Sequence, residues 1–163
     1  MAPELVFLKL GGSLLTDKTQ AEAVRAESLA RLAGEIAAAL KRRPELYLLL
    51  GHGSGSYGHV TAARYGTRAG VRTTAQWRGY AETAVVAGRL NRLVIEALFA
   101  AGVPVLPIQP SASARCVAGV LLGLDDRPVR AALTQGLVPL VYGDVALDES
   151  QGGTIIATEE IFR

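Results

Sequence analysis

Two glycine-rich segments hold most of the residues in this chain that could do chemistry. The first, Lys9-Leu-Gly-Gly-Ser-Leu-Leu-Thr-Asp-Lys18, contains two of the three lysines, and the second, Leu48-Leu-Leu-Gly-His-Gly-Ser-Gly-Ser-Tyr-Gly-His59, contains both histidines. Each follows an apolar run of strand character. Glycine lets backbone N–H groups come close to an anion, and a helix that starts just after the second loop points its positive end at the same place. Lysines, amides and a histidine gathered in this way suit a site that holds phosphates.

Lys9 interrupts the apolar run Leu5-Val-Phe-Leu-Lys-Leu10, where a charge needs an anionic partner. His52 reads as a structural residue hydrogen-bonded within its loop, and His59, at the start of the following helix, as the one that touches a ligand. Asp144, just past a strand end, either caps a turn or orients lysines or binds Mg²⁺. Gly53-Ser-Gly-Ser-Tyr-Gly58 matches the dinucleotide fingerprint G-x-G-x-x-G. Val60 to Tyr80 contains no acid to bind a ribose, however, and the loop follows the second strand, so a Rossmann site is disfavoured. The sequence carries no Walker A pattern, no G-x-S-x-G elbow and no metal-ligand spacing of His, Cys and carboxylates.

The elements that must position these loops alternate between strand and helix. Leu5 to Leu10 and Leu46 to Leu50 read as strands, the first buried on both faces of a parallel sheet. Ala21 to Arg43 reads as a helix with Leu29, Leu32, Ile36 and Leu40 on one stripe, ended by Pro44. Thr74 to Ala101 is a long helix, capped by Thr73 or Thr74 and stopped by Gly102, with Trp77, Tyr80, Ala84 and Leu98 on its packed face. Val103 to Ile108 and Leu137 to Tyr142 are further strands, and Asp125 to Gln135 is a short helix. Gly119 to Gly123 belongs to a hairpin, and Asp144 to Asp148 opens another over Gln151-Gly-Gly153. Thr158 reads as the cap of a last helix with Glu159 and Glu160 in its first turn. This order predicts an α/β fold around a largely parallel sheet.

The 163 residues are half apolar, enough for one domain with a core. A net charge of +2 without a basic run argues against nucleic acid as a partner. The single cysteine, Cys116, reads as a small buried hydrophobe and fits a reducing compartment. No signal peptide is visible and the apolar runs are too short to cross a bilayer, so the expectation is a soluble, cytoplasmic protein with no membrane partner.

Several of these motifs together resemble the amino acid kinase superfamily. They are Lys9-Leu-Gly-Gly-Ser13, Thr16-Asp-Lys18, His52-Gly-x-Gly-Ser-Tyr-Gly-His59, Ile108-Gln-Pro-Ser111, Val138-Pro-Leu-Val-Tyr-Gly-Asp144 and Gly153-Thr-Ile-Ile-Ala-Thr-Glu-Glu-Ile161. Within the superfamily they are most similar to isopentenyl phosphate kinases, with fosfomycin kinases as the nearest competitor. The resemblance implies a three-layer αβα sandwich, a small phosphate-bearing substrate, ATP and Mg²⁺, and a homodimer. It implies that Lys9 reaches the transferring phosphoryl group, that Gly11, Gly12 and Ser13 cradle ATP phosphates, and that Lys18 stabilises the transition state. Gly53, Gly58 and His59 would hold the acceptor phosphate, Ser54 would lie beside the nucleotide phosphates, and the turn Gly153 to Ile155 would close on the substrate. Two departures are Ser54, where glycine is commonest, and Tyr57, where phenylalanine is frequent.

The resemblance also implies that residues 1–163 form the acceptor and phosphate-binding part of a longer protein whose C-terminal half binds the nucleotide's base and ribose. The 163 residues alone are then expected to bind ATP poorly and turn over little. A non-catalytic acceptor-binding or dimerisation module is the alternative.

Overall fold

The computed structural model describes residues 4–17 and 19–163, apart from the side chain of His59. The roles expected of Lys18, and of the His59 side chain, therefore lie outside the described residues.

A four-stranded parallel sheet forms the centre. Its strands are β1 (Leu5–Leu10), β2 (Tyr47–His52), β3 (Val105–Pro107) and β6 (Val138–Tyr142), in the order β1-β2-β6-β3. A smaller mixed sheet, ordered β5-β4-β7-β8, joins β4 (Arg115–Val117), β5 (Val120–Gly123), β7 (Asp144–Asp148) and β8 (Gly152–Ile156). The helices are α1 (Gly12–Leu15), α2 (Ala26–Arg42), α3 (Gly55–Tyr65), α4 (Thr74–Ala100), α5 (Arg127–Thr134) and α6 (Thr158–Ile161). This is the α/β architecture that the alternation predicts.

The main core lies on one face of the parallel sheet. Leu29, Ala33 and Ile36 of α2 and Val86, Leu90, Val94 and Leu98 of α4 pack on Leu10, Leu48, Leu50 and Leu140. On the other face, Val129 and Leu133 of α5, Ile161 of α6 and the following Phe162 cover Leu49 and Val141. The inner strands β2 and β6 are therefore buried almost throughout. Pro139 is accommodated in β6 because pairing with β2 begins one residue later, at Leu140.

The structure corrects several sequence expectations. β1 pairs only with β2 among the described strands, so it is an edge and its apolar run is not buried on both faces. Leu5 is 44% exposed and Phe7 50% exposed. The first long helix begins at Ala26 rather than Ala21. Thr73 caps α4 in a reciprocal pair with Gln76. Trp77 sits at the surface, edge-on to Tyr80 at 5.3 Å. Ala157, not Thr158, is the N-cap of α6, and its N–H donates to Glu160 at 2.5 Å. The Thr158 hydroxyl donates instead to the His52 carbonyl at 2.6 Å, which anchors α6 to the end of β2.

Candidate active site

The three neighbouring strands β1, β2 and β6 end side by side, and each runs into glycine: Leu10 into Gly11, His52 into Gly53 and Tyr142 into Gly143. In open α/β sheets, the crevice beyond the carboxyl ends of the strands is where ligands bind. The ends are tied together. The Gly53 N–H donates to Leu10 O at 3.2 Å, and the Gly143 N–H to His52 O at 3.1 Å.

The two glycine loops lie backbone against backbone. A methyl group on Gly12 would stand 2.7 Å from the Gly55 Cα, inside contact distance, so only glycine allows this approach. Gly55 itself has φ +51°, a conformation that costs L side chains energy, and its Cβ position is taken by the Thr16 side chain. Thr16, fully buried, joins the loops: its hydroxyl donates to Gly12 O at 2.9 Å and accepts from the Ser56 N–H at 2.9 Å. The glycines of the first segment therefore bring the start of α3, with its positive dipole end, next to β1.

Beyond this junction lies a cavity of about 570 Å³. Lys9, Gly53, Ser54, Gly58, Asp144 and Ile155 line it, so six of the residues singled out from the sequence share one space. The Ser54 side chain packs where Gly58 lacks one, because a Cβ on Gly58 would lie 2.5 Å from that of Ser54. The remaining candidates stand elsewhere. Gly12 is enclosed at the loop junction, Gly11 and Ser13 do not line the cavity, and Gly153 backs onto the Tyr80 ring.

Two carboxylates enter the cavity and differ in environment. Asp144 is buried, and burial pushes its carboxyl above the ordinary range even though it accepts the N–H groups of Ser111 at 3.1 Å and Val145 at 2.8 Å. Glu159 forms an ion pair with Lys9, and that hydrogen bond holds its carboxyl below the ordinary range. The lysine-orienting contact anticipated for Asp144 is thus made by Glu159. Sequence reading missed Glu159 because 150 positions separate it from Lys9, and the pair Glu159-Glu160 already looked accounted for as a helix start. Gly143 and Thr158 also line the cavity; Gly143 carried no earlier signal beyond lying in a quoted motif, and Thr158 was read only as a helix cap.

His52 takes no part in the cavity. It is fully buried, with Nδ1 3.1 Å from Gly53 O and Nε2 3.1 Å from the Asn91 side-chain amide, and it stacks on Tyr142. Burial lowers its pKa, so it is a neutral spacer beneath the loop, as the sequence suggests. Among the described residues no group of three His, Cys, Asp or Glu side chains could hold a metal ion, and no helix is long and apolar enough to cross a membrane.

Parallel strands here deliver glycine loops, a lysine paired with a carboxylate and a helix N-terminus into one cavity of an α/β domain. The chain belongs to the amino acid kinase family, whose model matches residues 4–162. An isopentenyl phosphate kinase from Methanothermobacter thermautotrophicus is 38% identical over 90% of this chain and 56% of its own length. One from Methanocaldococcus jannaschii is 32% identical over 96% of this chain and 62% of its own length. A solved structure of isopentenyl phosphate kinase superposes with a TM-score of 0.87 at 35% identity, covering 96% of this chain and 64% of that one. The chain thus spans between 56% and 64% of the length of these relatives.

Proposed function

We propose that this chain is the acceptor-binding part of a kinase that transfers the γ-phosphoryl group of ATP to isopentenyl phosphate, giving isopentenyl diphosphate. The observation that carries this reading is the shared cavity of Lys9, the Gly53–Gly58 loop and Glu159, in a fold that superposes on an isopentenyl phosphate kinase.

A phosphate acceptor is already an anion at neutral pH, so the reaction needs no general base. It needs two mutually repelling phosphates aligned and the charge on the moving group stabilised. In this reading the glycine loop at Gly53 and Gly58 and the positive end of α3, with His59, hold the acceptor phosphate. Lys9 reaches the transferring group, exchanging its Glu159 partner for the phosphate, and Lys18 adds a second cation. Gly11, Gly12 and Ser13 set the loop that faces the nucleotide phosphates, with Ser54 beside them. The turn Gly153 to Ile155 closes the far wall, where Ile155 lines the cavity.

Mg²⁺ fits as an ion carried on nucleotide phosphates rather than in a protein cage, since among the described residues Asp144 and Glu159 are the only acids lining the cavity. Asp144 is the carboxylate that would support it, and the ion would supply charge neutralisation between the two phosphates. Polypeptide beyond the matched span would bind the base and ribose. An apolar groove lined by Leu5, Phe7, Leu49, Leu122 and Phe162, about 440 Å³ and open beside the β1 edge, is in keeping with a further packed unit there. We place the protein in the cytoplasm as a homodimer, in line with the resemblance.

Calorimetric titration of the 163-residue chain with isopentenyl phosphate tests this reading. Saturable binding that His59→Ala weakens tenfold or more is the expected result, with weak binding of ATP·Mg²⁺ by this span alone. Heat with fosfomycin and none with isopentenyl phosphate would transfer the site to a phosphonate kinase. No binding of either would overturn the acceptor site.

A further inference from the structure

The following rests on the acceptor reading above and concerns the second phosphoryl group. Among the described residues, Lys9 and Arg68 are the cations that line the cavity. Both are drawn to the same turn of helix. Lys9 pairs with Glu159, and Nη2 of Arg68 lies 3.9 Å from Oε2 of Glu160, so adjacent carboxylates in the first turn of α6 each hold one cation. The arginine is held far more weakly. At 3.9 Å it is beyond hydrogen-bond distance, and Oε2 of Glu160 already accepts the Ala157 N–H at 2.5 Å. The Arg68 side chain is 67% exposed, and its guanidinium makes no hydrogen bond among the described residues, so its fork of donors is open to another acceptor.

The backbone that carries this side chain is fixed. Arg68 sits in the single turn Thr67–Ala69 between α3 and α4, and its carbonyl accepts the buried Thr154 hydroxyl of β8 at 3.3 Å. Thr67 beside it is fully buried, and the Val71 N–H donates to Gln151 O at 2.8 Å. Arg68 is thus pinned at its base to the β7–β8 hairpin, which leads directly into α6. Nearby Arg64 is committed elsewhere: its guanidinium lies 5.0 Å from the centre of the Tyr65 ring and 3.9 Å from Glu82.

The two phosphates of the reaction make unequal demands. A monophosphate can be met by the glycine loop, the positive end of α3 and Lys9. A second phosphoryl group brings further charged oxygens into a cavity that already contains Asp144 and Glu159. A guanidinium answers that demand, because its paired N–H groups match two phosphoryl oxygens at once and its charge does not titrate.

We propose that Arg68 is a ligand-contacting residue for the two-phosphate state. It leaves Glu160 and donates to the oxygens of the diphosphate, and so favours the diphosphate over the monophosphate.

The test is calorimetric titration with isopentenyl phosphate and with isopentenyl diphosphate of the parent chain, Arg68→Ala, Arg68→Lys and Glu160→Gln, with thermal melts to show that each variant folds. Arg68→Ala should weaken the diphosphate about tenfold or more, the scale of hydrogen bonds to a charged group, and the monophosphate by less than about threefold. Arg68→Lys, which keeps the charge but not the fork, should recover part of the loss. Glu160→Gln releases the arginine and should strengthen the diphosphate by about twofold to fivefold. Equal losses for the two ligands in Arg68→Ala, or none for the diphosphate, would overturn the proposal and leave the acceptor reading standing. Weaker diphosphate binding in both Arg68→Ala and Glu160→Gln would make the pair a strut between the Thr67–Ala69 turn and α6, and also overturn it. A parent chain that binds neither ligand would remove the acceptor reading and this proposal together.

Discussion

Lys9, one residue from the end of β1, and Glu159, in the first turn of α6, form an ion pair in the cavity although 150 positions separate them. The pair joins the first strand of the chain to its last helix across the end of the sheet. Both side chains keep contact with solvent, which leaves Lys9 available to an incoming anion.

Glu159 competes with any phosphate for Lys9. Glu159→Gln removes one negative charge beside the anion site and should strengthen binding of inorganic pyrophosphate by about threefold to tenfold, the scale of one screened like charge near a surface. Calorimetry at low and high salt checks this, with the gain shrinking at high salt. Weaker binding in the variant would mean that Glu159 acts chiefly by fixing the lysine in place.

The glycines differ sharply in what a methyl group would meet. Gly12→Ala forces a contact with the Gly55 backbone and should cost about 1–3 kcal/mol, with anion binding lost as the loops separate. Gly34, inside α2, has open space around its Cβ position, and Gly34→Ala should add about 0.5–1 kcal/mol. Urea unfolding of both variants reads this contrast, and similar effects from the two would contradict the packed junction.

His52 gives a pH dependence of definite sign. Its folded pKa lies below the ordinary value near 6.5, with burial as the main cause. The unfolded chain therefore takes up a proton near pH 6.5 while the folded chain does not, so stability falls as the pH drops below about 6.5. The urea midpoint should decline from pH 7.5 to pH 5, and His52→Gln should flatten that decline. A decline of equal size in the variant would assign it to another group.

Asp148 contributes at lower pH. Burial would raise its carboxyl, but hydrogen bonds from the N–H groups of Gly119, Ser150 and Gln151 outweigh this and bring it to about 2. A depressed folded value means a contribution present above about pH 4, the unfolded value, and lost as the pH falls toward about 2. Asp148→Asn should show lower stability at pH 7 and a shallower acid slope from pH 4 to pH 2. An unchanged slope would show that the two hairpin turns do not depend on this carboxylate.

Much of this architecture was legible in the residues themselves. Apolar runs bounded by glycine marked β2 and β6, Thr73 or Thr74 as a cap marked the start of α4, and the glycine loops marked the turns beyond the strand ends, because each signal is local and set by backbone conformation or side-chain period. Lys9, the glycines of the Gly53–Gly58 loop and Asp144 were singled out in this way, and Ser54 and Ile155 by the family resemblance, before the fold brought them together.

Other features depend on which elements become neighbours, and no local pattern encodes that. β1 carries the same apolar run as an inner strand, yet its place at the sheet edge leaves Phe7 half exposed. Glu159 looked like part of a helix start until α6 packed over the end of β2 and set it against Lys9. The sequence by itself determined the strand–loop–helix units and the glycine turns that join them, since those follow from dihedral freedom and burial period. The tertiary structure alone decided which carboxylate meets Lys9 and that Gly12 and Gly55 touch, because each is a distance between residues far apart along the chain.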